Sequence, residues 1–508
     1  MKRFFTLLLL AGAVSAAQAQ KLQKTTLQIP ELRLYNAFSG GYANVYGFGS
    51  DEKNYYVCQD MHYGGVSLSF FIINKKFTSP VKQCPIKGEK GDHFLKILLL
   101  EDDVVILLAR HKKSEQKSQI IKQTYGKTTG KFKKETAIAS FPMSKSEYWL
   151  ASTTISPDKT KTGILFMIAN KKNDVDSYYA ALLNQNGEVE WDVTHDLEIS
   201  NESFSVQDFT VTNNGDLYIA FCSEPEKIKK ATDKNLYIDL IYLSDDDKEK
   251  MTLPFEKYQI GEVQLKPLKS GDVYLAALFA EDDKSYKTEL LSMILNGKRF
   301  SEDKSYKKEI KETNTHVRLP ANYFLPGKFL YNLGIERILE LDNGNIAVIC
   351  EQGASMQLTT QQMIVYMKAR GSVSTFFVKG SDASIEDVSV MDKSQFFKSA
   401  YNYSAKAFGL SIFSFAYGNK VGYIFNDCVT KYTDPAKYKG NGFKKIDGKD
   451  IAIVLNTQES GEKAEIELLT GKAAAGRLLR QVLFEEDNRL VILTQNKKAG
   501  YIETLSLP

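Results

Sequence analysis

A polar turn followed by an apolar strand recurs along this chain. It reads NNGDLYIAF at 213–221, KSGDVYLAALF at 269–279, LDNGNIAVICE at 341–351 and EEDNRLVILTQ at 485–495. Turns of this kind centre near Asp51, Asp102, Asp158, Gly215, Gly271, Gly344, Gly418 and Asp487. From Asp102 to Asp158, Gly215 and Gly271 the steps are 56, 57 and 56 residues, and the others span 51 to 74. A period in this range means that one supersecondary unit is copied, each copy burying its apolar face against the next.

The segments after the turns, NYYVC, VVILLA, GILFMIA, LYIAF, VYLAALF, IAVIC, VGYIF and LVIL, are continuously apolar, as strands buried on both faces are. More alternating arms such as FTVT at 209–212 precede several turns, so turn and arms make a hairpin, with Gly, Asn or Asp where positive φ is needed. Further strands follow in YYAALLNQNGEVEW at 178–191, ELLSMILNGKRF at 289–300, MIVYMKARGSV at 363–373 and EIELLTGK at 465–472, often running into another turn. Three to four antiparallel strands per unit predict an all-β chain and a β-propeller of eight blades. Seven is the close alternative, because 408–470 carries two turn-like sites, YGNK and IDGK. Two tandem sandwiches would also supply many short strands, but no linker divides the chain.

Residues 1–19 have Lys2 and Arg3, an apolar run and small residues at Ala17 and Ala19, the pattern of a signal peptide cleaved after Ala19. The expected product is one exported propeller domain over 20–508, periplasmic or extracellular, with no transmembrane segment. A formal charge of +4 is small for 508 residues, and Lys greatly outnumbers Arg, so neither singles out a partner. Cys58, Cys84, Cys222, Cys350 and Cys428 are odd in number and cannot all pair within the chain. Three of them end apolar strands and read as buried core; Cys58 and Cys84 lie within one unit and leave a bridge open.

LYNLGIERILELDNGNIAVICEQ at 330–352 and FSFAYGNKVGYIFND at 413–427 resemble a broad set of exported, repeat-built proteins of Bacteroidetes-type bacteria. The resemblance implies a propeller-like fold and an envelope location, and brings no catalytic residues. NNGDLYIAF also resembles the strand signature of NHL-type propellers, although the flanking residues of that signature are missing here.

No CxxC, HExxH or HxH occurs, and His62, His93, His111, His195 and His316 stand singly, so no metal or other cofactor is expected. The acidic runs at 101–103, 245–247 and 281–283 lack the ligand spacing of a calcium loop and read as solvated turns. There is no G-x-S-x-G elbow, and no catalytic residue is assigned. Nothing suggests nucleic acid. The basic segment 110–135 reads as an exposed outer strand and loop whose lysines discourage edge pairing, the alternative being a surface that meets an acidic glycan or the anionic envelope.

The turn-led strands all end in a polar residue: Gln59, Arg110, Asn170, Ser223, Glu281, Glu351, Asn426 and Gln495. If the turns share one side of the disc, these ends share the other, as a candidate ring at the channel mouth. Arg110 is expected to face Glu281 and Glu351. The alternative is that a strand reaching water simply ends in polar residues. The expected function is non-catalytic binding of a glycan, peptide or envelope partner there, with an aromatic platform sought at Tyr63, Trp149 or Trp191. A glycoside hydrolase or lyase is the alternative, since paired carboxylates leave no sequence signature, and a structural scaffold is the third.

Overall fold

A computed structural model of the protein describes residues 26–28, 44–61, 67–78, 80–89, 91–142, 151–169, 175–197, 204–223, 237–255, 259–280, 287–296, 317–318, 332–359, 364–391, 393, 395–399, 412–429, 431, 434, 436, 451–462, 465–469, 478–486, 489–496 and 499–507. They form eight antiparallel sheets of four strands, one of which gains a fifth. The innermost strands are Asn44–Ser50, Asp92–Leu99, Ala151–Ile155, Phe204–Val211, Gln259–Pro267, Asn332–Glu340, Ile412–Tyr417 and Leu478–Glu486. Each touches the next, and the last touches the first, so the sheets close into an eight-bladed propeller around a central channel. All eight turns seen in the sequence sit between a first and a second strand. YGNK is the inner turn of the seventh blade, Asp487 marks a separate eighth, and IDGK lies outside the described residues; the seven-blade alternative is therefore excluded.

The second strands are buried because neighbours cover both of their faces. Leu217–Ser223 is buried along its whole length. Eight apolar clusters result, one in each gap between neighbouring blades. Burying one Leu, Ile or Phe contributes roughly 1.5–3 kcal/mol, so these gaps dominate the favourable side of the balance. Gly215, at φ +94°, lets the Thr212–Asp216 turn reverse the chain tightly, with the Gly215 amide donating to the Thr212 carbonyl at 3.1 Å.

The ring closes in two ways. Thr26–Gln28 adds the outermost strand to the eighth blade, pairing Thr26 with Glu503, Leu27 with Ile502 and Gln28 with Tyr501. At the centre, Gly47 of the first blade lies against the backbone of Leu483 in the eighth. The expected leader, residues 1–19, lies outside the described residues.

All five cysteines are free. Cys58 and Cys84 flank Phe70, which pairs with both on the strand between them, so they do not bridge. Cys58, Cys84, Cys222 and Cys350 are buried, and burial pushes the Cys222 thiol up to about 12. The basic segment is not an outer strand throughout: Lys117–Gly126 is the third strand of the second blade and buries Ile120, Ile121 and Tyr125, and only Phe132–Pro142 is outermost. Gly371, which read as a turn, lies inside the fifteen-residue strand Ile364–Val378.

Candidate functional site

The described ring residues stand on second strands, one strand back from the channel. Among those described, Gln59, Ser223, Glu351, Asn426 and Gln495 are buried and Arg110 is half-buried; Asn170 and Glu281 lie outside the described residues. Most are tied to their own blade. Ser223 Oγ donates to Asp239 Oδ2 at 2.8 Å, and Thr252 Oγ1 to the other carboxylate oxygen at 2.6 Å. Arg480 Nε donates to Gln495 Oε1 at 2.7 Å. Arg110 forks onto Asp92 at 2.7 and 2.9 Å and reaches Glu135 at 2.8 Å. The expected pairing of Arg110 with Glu351 is thus not formed, because two acids of its own blade lie closer, Asp92 on the adjoining strand taking the bidentate geometry and Glu135 reaching in from the outermost strand.

Glu351 and Asn426 are linked, through residues that the sequence reading missed. Lys393 Nζ donates to Glu351 Oε1, and to Gln395 Oε1 at 2.9 Å. Gln395 Nε2 donates to the Asn426 carbonyl at 2.6 Å. Asn426 then meets the eighth blade, its amide donating to the Leu479 carbonyl at 2.9 Å and accepting from the Leu479 amide at 2.8 Å. Blades six, seven and eight are so joined by one buried polar chain. The Lys393 side chain is 0% exposed and that of Glu351 4%. Burial pushes the Lys393 ammonium down, with Glu351 opposing.

This chain sits at the root of an arm. The sixth blade's second and third strands, Ile346–Thr359 and Ile364–Val378, have 14 and 15 residues, against 7 to 10 for the other second strands. The blade's first strand stops pairing at Gly353 and its fourth at Val373. Beyond them, among the described residues, Ala354–Thr359 pairs only with Ile364–Ala369, and Gln395–Ser399 is added on the far side of the latter. Six residues at strand rise carry the arm about 20 Å further, on the side opposite the inner turns. Two glycines shape the root. A Cβ on Gly353 would stand 1.8 Å from Arg370 Nη1, and one on Gly371 2.6 Å from Gln352 Oε1. Their absence lets Arg370 lie across the pair and approach Glu351, Nε to Oε2, at 3.4 Å.

A second polar set borders the channel itself. Among the described residues the innermost strands of six blades carry a bulge, and in four of them it falls just before a charged residue, Lys96, Asp208, Glu262 or Arg337. The extra residue breaks the alternation, and at Asp208, Glu262 and Arg337 the side chain meets the backbone of the next blade. Asp208 accepts from the Leu265 amide at 2.7 Å and the Phe209 amide at 2.8 Å, one on each oxygen. Glu262 accepts from the Ile335 amide at 2.8 Å and from Gln264 Nε2 at 3.0 Å. Arg337 donates to the Ser414 carbonyl and, at 2.5 Å, to Glu485. These clasps replace, between blades, the backbone ladder that exists within them.

Burial, with a small contribution from Glu262, pushes the Asp208 carboxyl up to about 6. The native state therefore holds this proton through a range in which the unfolded chain, at 3.8, has released it. The penalty is absent below the unfolded value, grows as pH rises and is complete above about 6. Two units correspond to ~3 kcal/mol. Asp208→Asn is expected to gain about this much relative to the parent between about pH 4 and 7. Urea unfolding at both pH values checks it, and parallel curves would refute the assignment.

Trp191 packs half-buried against the cluster between the third and fourth blades, while Tyr63 and Trp149 lie outside the described residues. Among the described residues, no group of three His, Cys, Asp or Glu is placed to hold a metal ion, and no helix is long and apolar enough to cross a membrane.

No family model matches the chain, and no characterised protein matches it in sequence. Solved structures do. A polysaccharide lyase, Uly1, aligns over 84% of this chain and 92% of its own at 11% identity and a TM-score of 0.38. The β-propeller domain of the Trilobed protease from Pyrococcus furiosus aligns over 85% and 97% at 10% identity and a TM-score of 0.36. A protein of unknown function from Dyadobacter fermentans aligns over 72% and 96% at 10% identity and a TM-score of 0.30. Likenesses this distant carry no argument about activity, and the fold rests on the chain's own sheet order.

Proposed function

We propose that this is a binding protein of the exported class, which takes a glycan, peptide or envelope partner at the channel mouth on the arm side of the disc. The arm carries this reading. A hairpin that continues six residue pairs past its blade has its root held by the Glu351–Lys393–Gln395–Asn426 chain. A paired projection beside a concave mouth suits capture of a ligand. The hydrolase alternative is less favoured by the carboxylates bordering the channel. All four oxygens of Asp208 and Glu262 already accept a bond from the protein, which suits clasps better than proton transfer.

Replacing residues 354–369 by a two-residue Asn-Gly turn shortens the arm to a hairpin of ordinary length. A glycan-array and thermal-shift screen on the parent, extended to peptides and envelope extracts, identifies the ligand. The shortened protein should keep its circular dichroism and melting point and bind at least about tenfold more weakly, ~1.4 kcal/mol. Undiminished binding would remove the arm from the site.

A further inference from the structure

The channel-bordering charges are not equally satisfied. The acids are occupied: Asp208 and Glu262 as described, and Glu485 by Arg337. Two lysines differ. Lys96 follows the bulge in the second blade's innermost strand, and Lys266 lies near the end of that strand in the fifth. Both are half-buried, and among the described residues neither makes a hydrogen bond or an ion pair within 4 Å. Around Lys266 stand Glu340 and Glu485, and also the cations Arg337 and Lys269. Around Lys96 no charged group makes itself felt, and burial alone pushes its ammonium down. A cation held partly out of water without a partner is costly, and an arriving anion removes that cost.

Building on the binding reading above, we propose that the channel receives the carboxylate or sulfate groups of an acidic oligosaccharide, with Lys96 and Lys266 as their cationic partners. The two lysines differ in depth. Lys96 pairs with Leu107, in mid-strand, and Lys266 with Tyr274, close to the inner turn. A chain of acidic sugars descending from the arm side meets Lys96 first and Lys266 further down. A single small anion would need only one of them.

The experiment is titration calorimetry of the full-length protein with a uronic-acid oligosaccharide, a sulfated one, a neutral one of equal length, an oligoglutamate peptide and inorganic sulfate. An acidic oligosaccharide should bind, and raised salt should weaken it. Lys96→Gln or Lys266→Gln should each cost about tenfold in affinity, while Lys133→Gln, on the outer strand of the second blade, should cost nothing. Without ligand, Lys96→Gln should melt no lower than the parent, because it removes an uncompensated charge; a lower melting point would overturn its being unpaired. Equal binding of the neutral oligosaccharide, or acidic binding indifferent to both lysines, overturns the proposal and leaves the binding reading standing. Preference for oligoglutamate assigns the channel to a peptide, and binding of inorganic sulfate alone reduces it to a small-anion site; either overturns it. Failure of every acidic probe overturns it too, and the arm is then judged by its own deletion.

Discussion

Glu351→Ala is expected to destabilise the protein by about 3–5 kcal/mol, the cost of breaking a buried ion pair from one side. Lys393 would keep Gln395 Oε1 at 2.9 Å but lose the carboxylate that offsets its burial. Arg370, drawn towards the same carboxylate, would be left facing a cation. The melting point of Glu351→Ala against that of Glu351→Leu with Lys393→Met separates pair from packing. Two apolar side chains in place of a buried pair are often neutral, so the double variant should recover most of the loss. A single variant as stable as the parent would mean that Lys393 is not held as described.

Gly47→Val should be nearly as damaging, for a steric reason. Its Cβ would fall 2.2 Å from the Leu483 carbonyl oxygen and 2.5 Å from the Phe484 ring, where the first and last blades meet. A side chain can move aside, but the Leu483 carbonyl is main chain, at a bulge held between Val482 and Phe484, which pair with Ile492 and Val491. Overpacking of this kind costs about 1–3 kcal/mol where neighbours relax, and more where they do not. Gly88→Ala is the control, since nothing lies within 4 Å of its Cβ. Equal melting points for the two variants would show that the blades meet less closely than the Gly47 contact implies.

The sequence displayed the second strands because neighbours cover both their faces, which leaves uninterrupted runs such as VVILLA and LYIAF. It displayed the inner turns because positive φ selects Gly, as at Gly215 and Gly271. The innermost strands were harder to read. A bulge between Val206 and Asp208 shifts the alternation by one residue, so Asp208 carries no sign that it faces the next blade. The arm was hidden because Gly371 has two uses: it reads as a turn, and here it clears room for Gln352 inside a strand. The polar strand ends were visible, but Asp92, Glu135 and Asp239, which hold Arg110 and Ser223, come from other strands at no fixed spacing. Lys393 sits in a polar stretch, MDKSQ, that looks fit for solvent, and only the fold reveals its burial.

The closing strand Thr26–Gln28 sets an order on assembly. A ribosome makes these residues long before their partners, Tyr501–Glu503. Blades can form in sequence as the chain lengthens, each resting on the one before. Until the eighth blade emerges, however, the first blade has one bare flank, and the strand that completes the eighth has nothing to pair with. While the blades between are made, the growing protein is therefore an open arc with sticky edges at both ends, and whatever shields those edges decides how much of it becomes a ring.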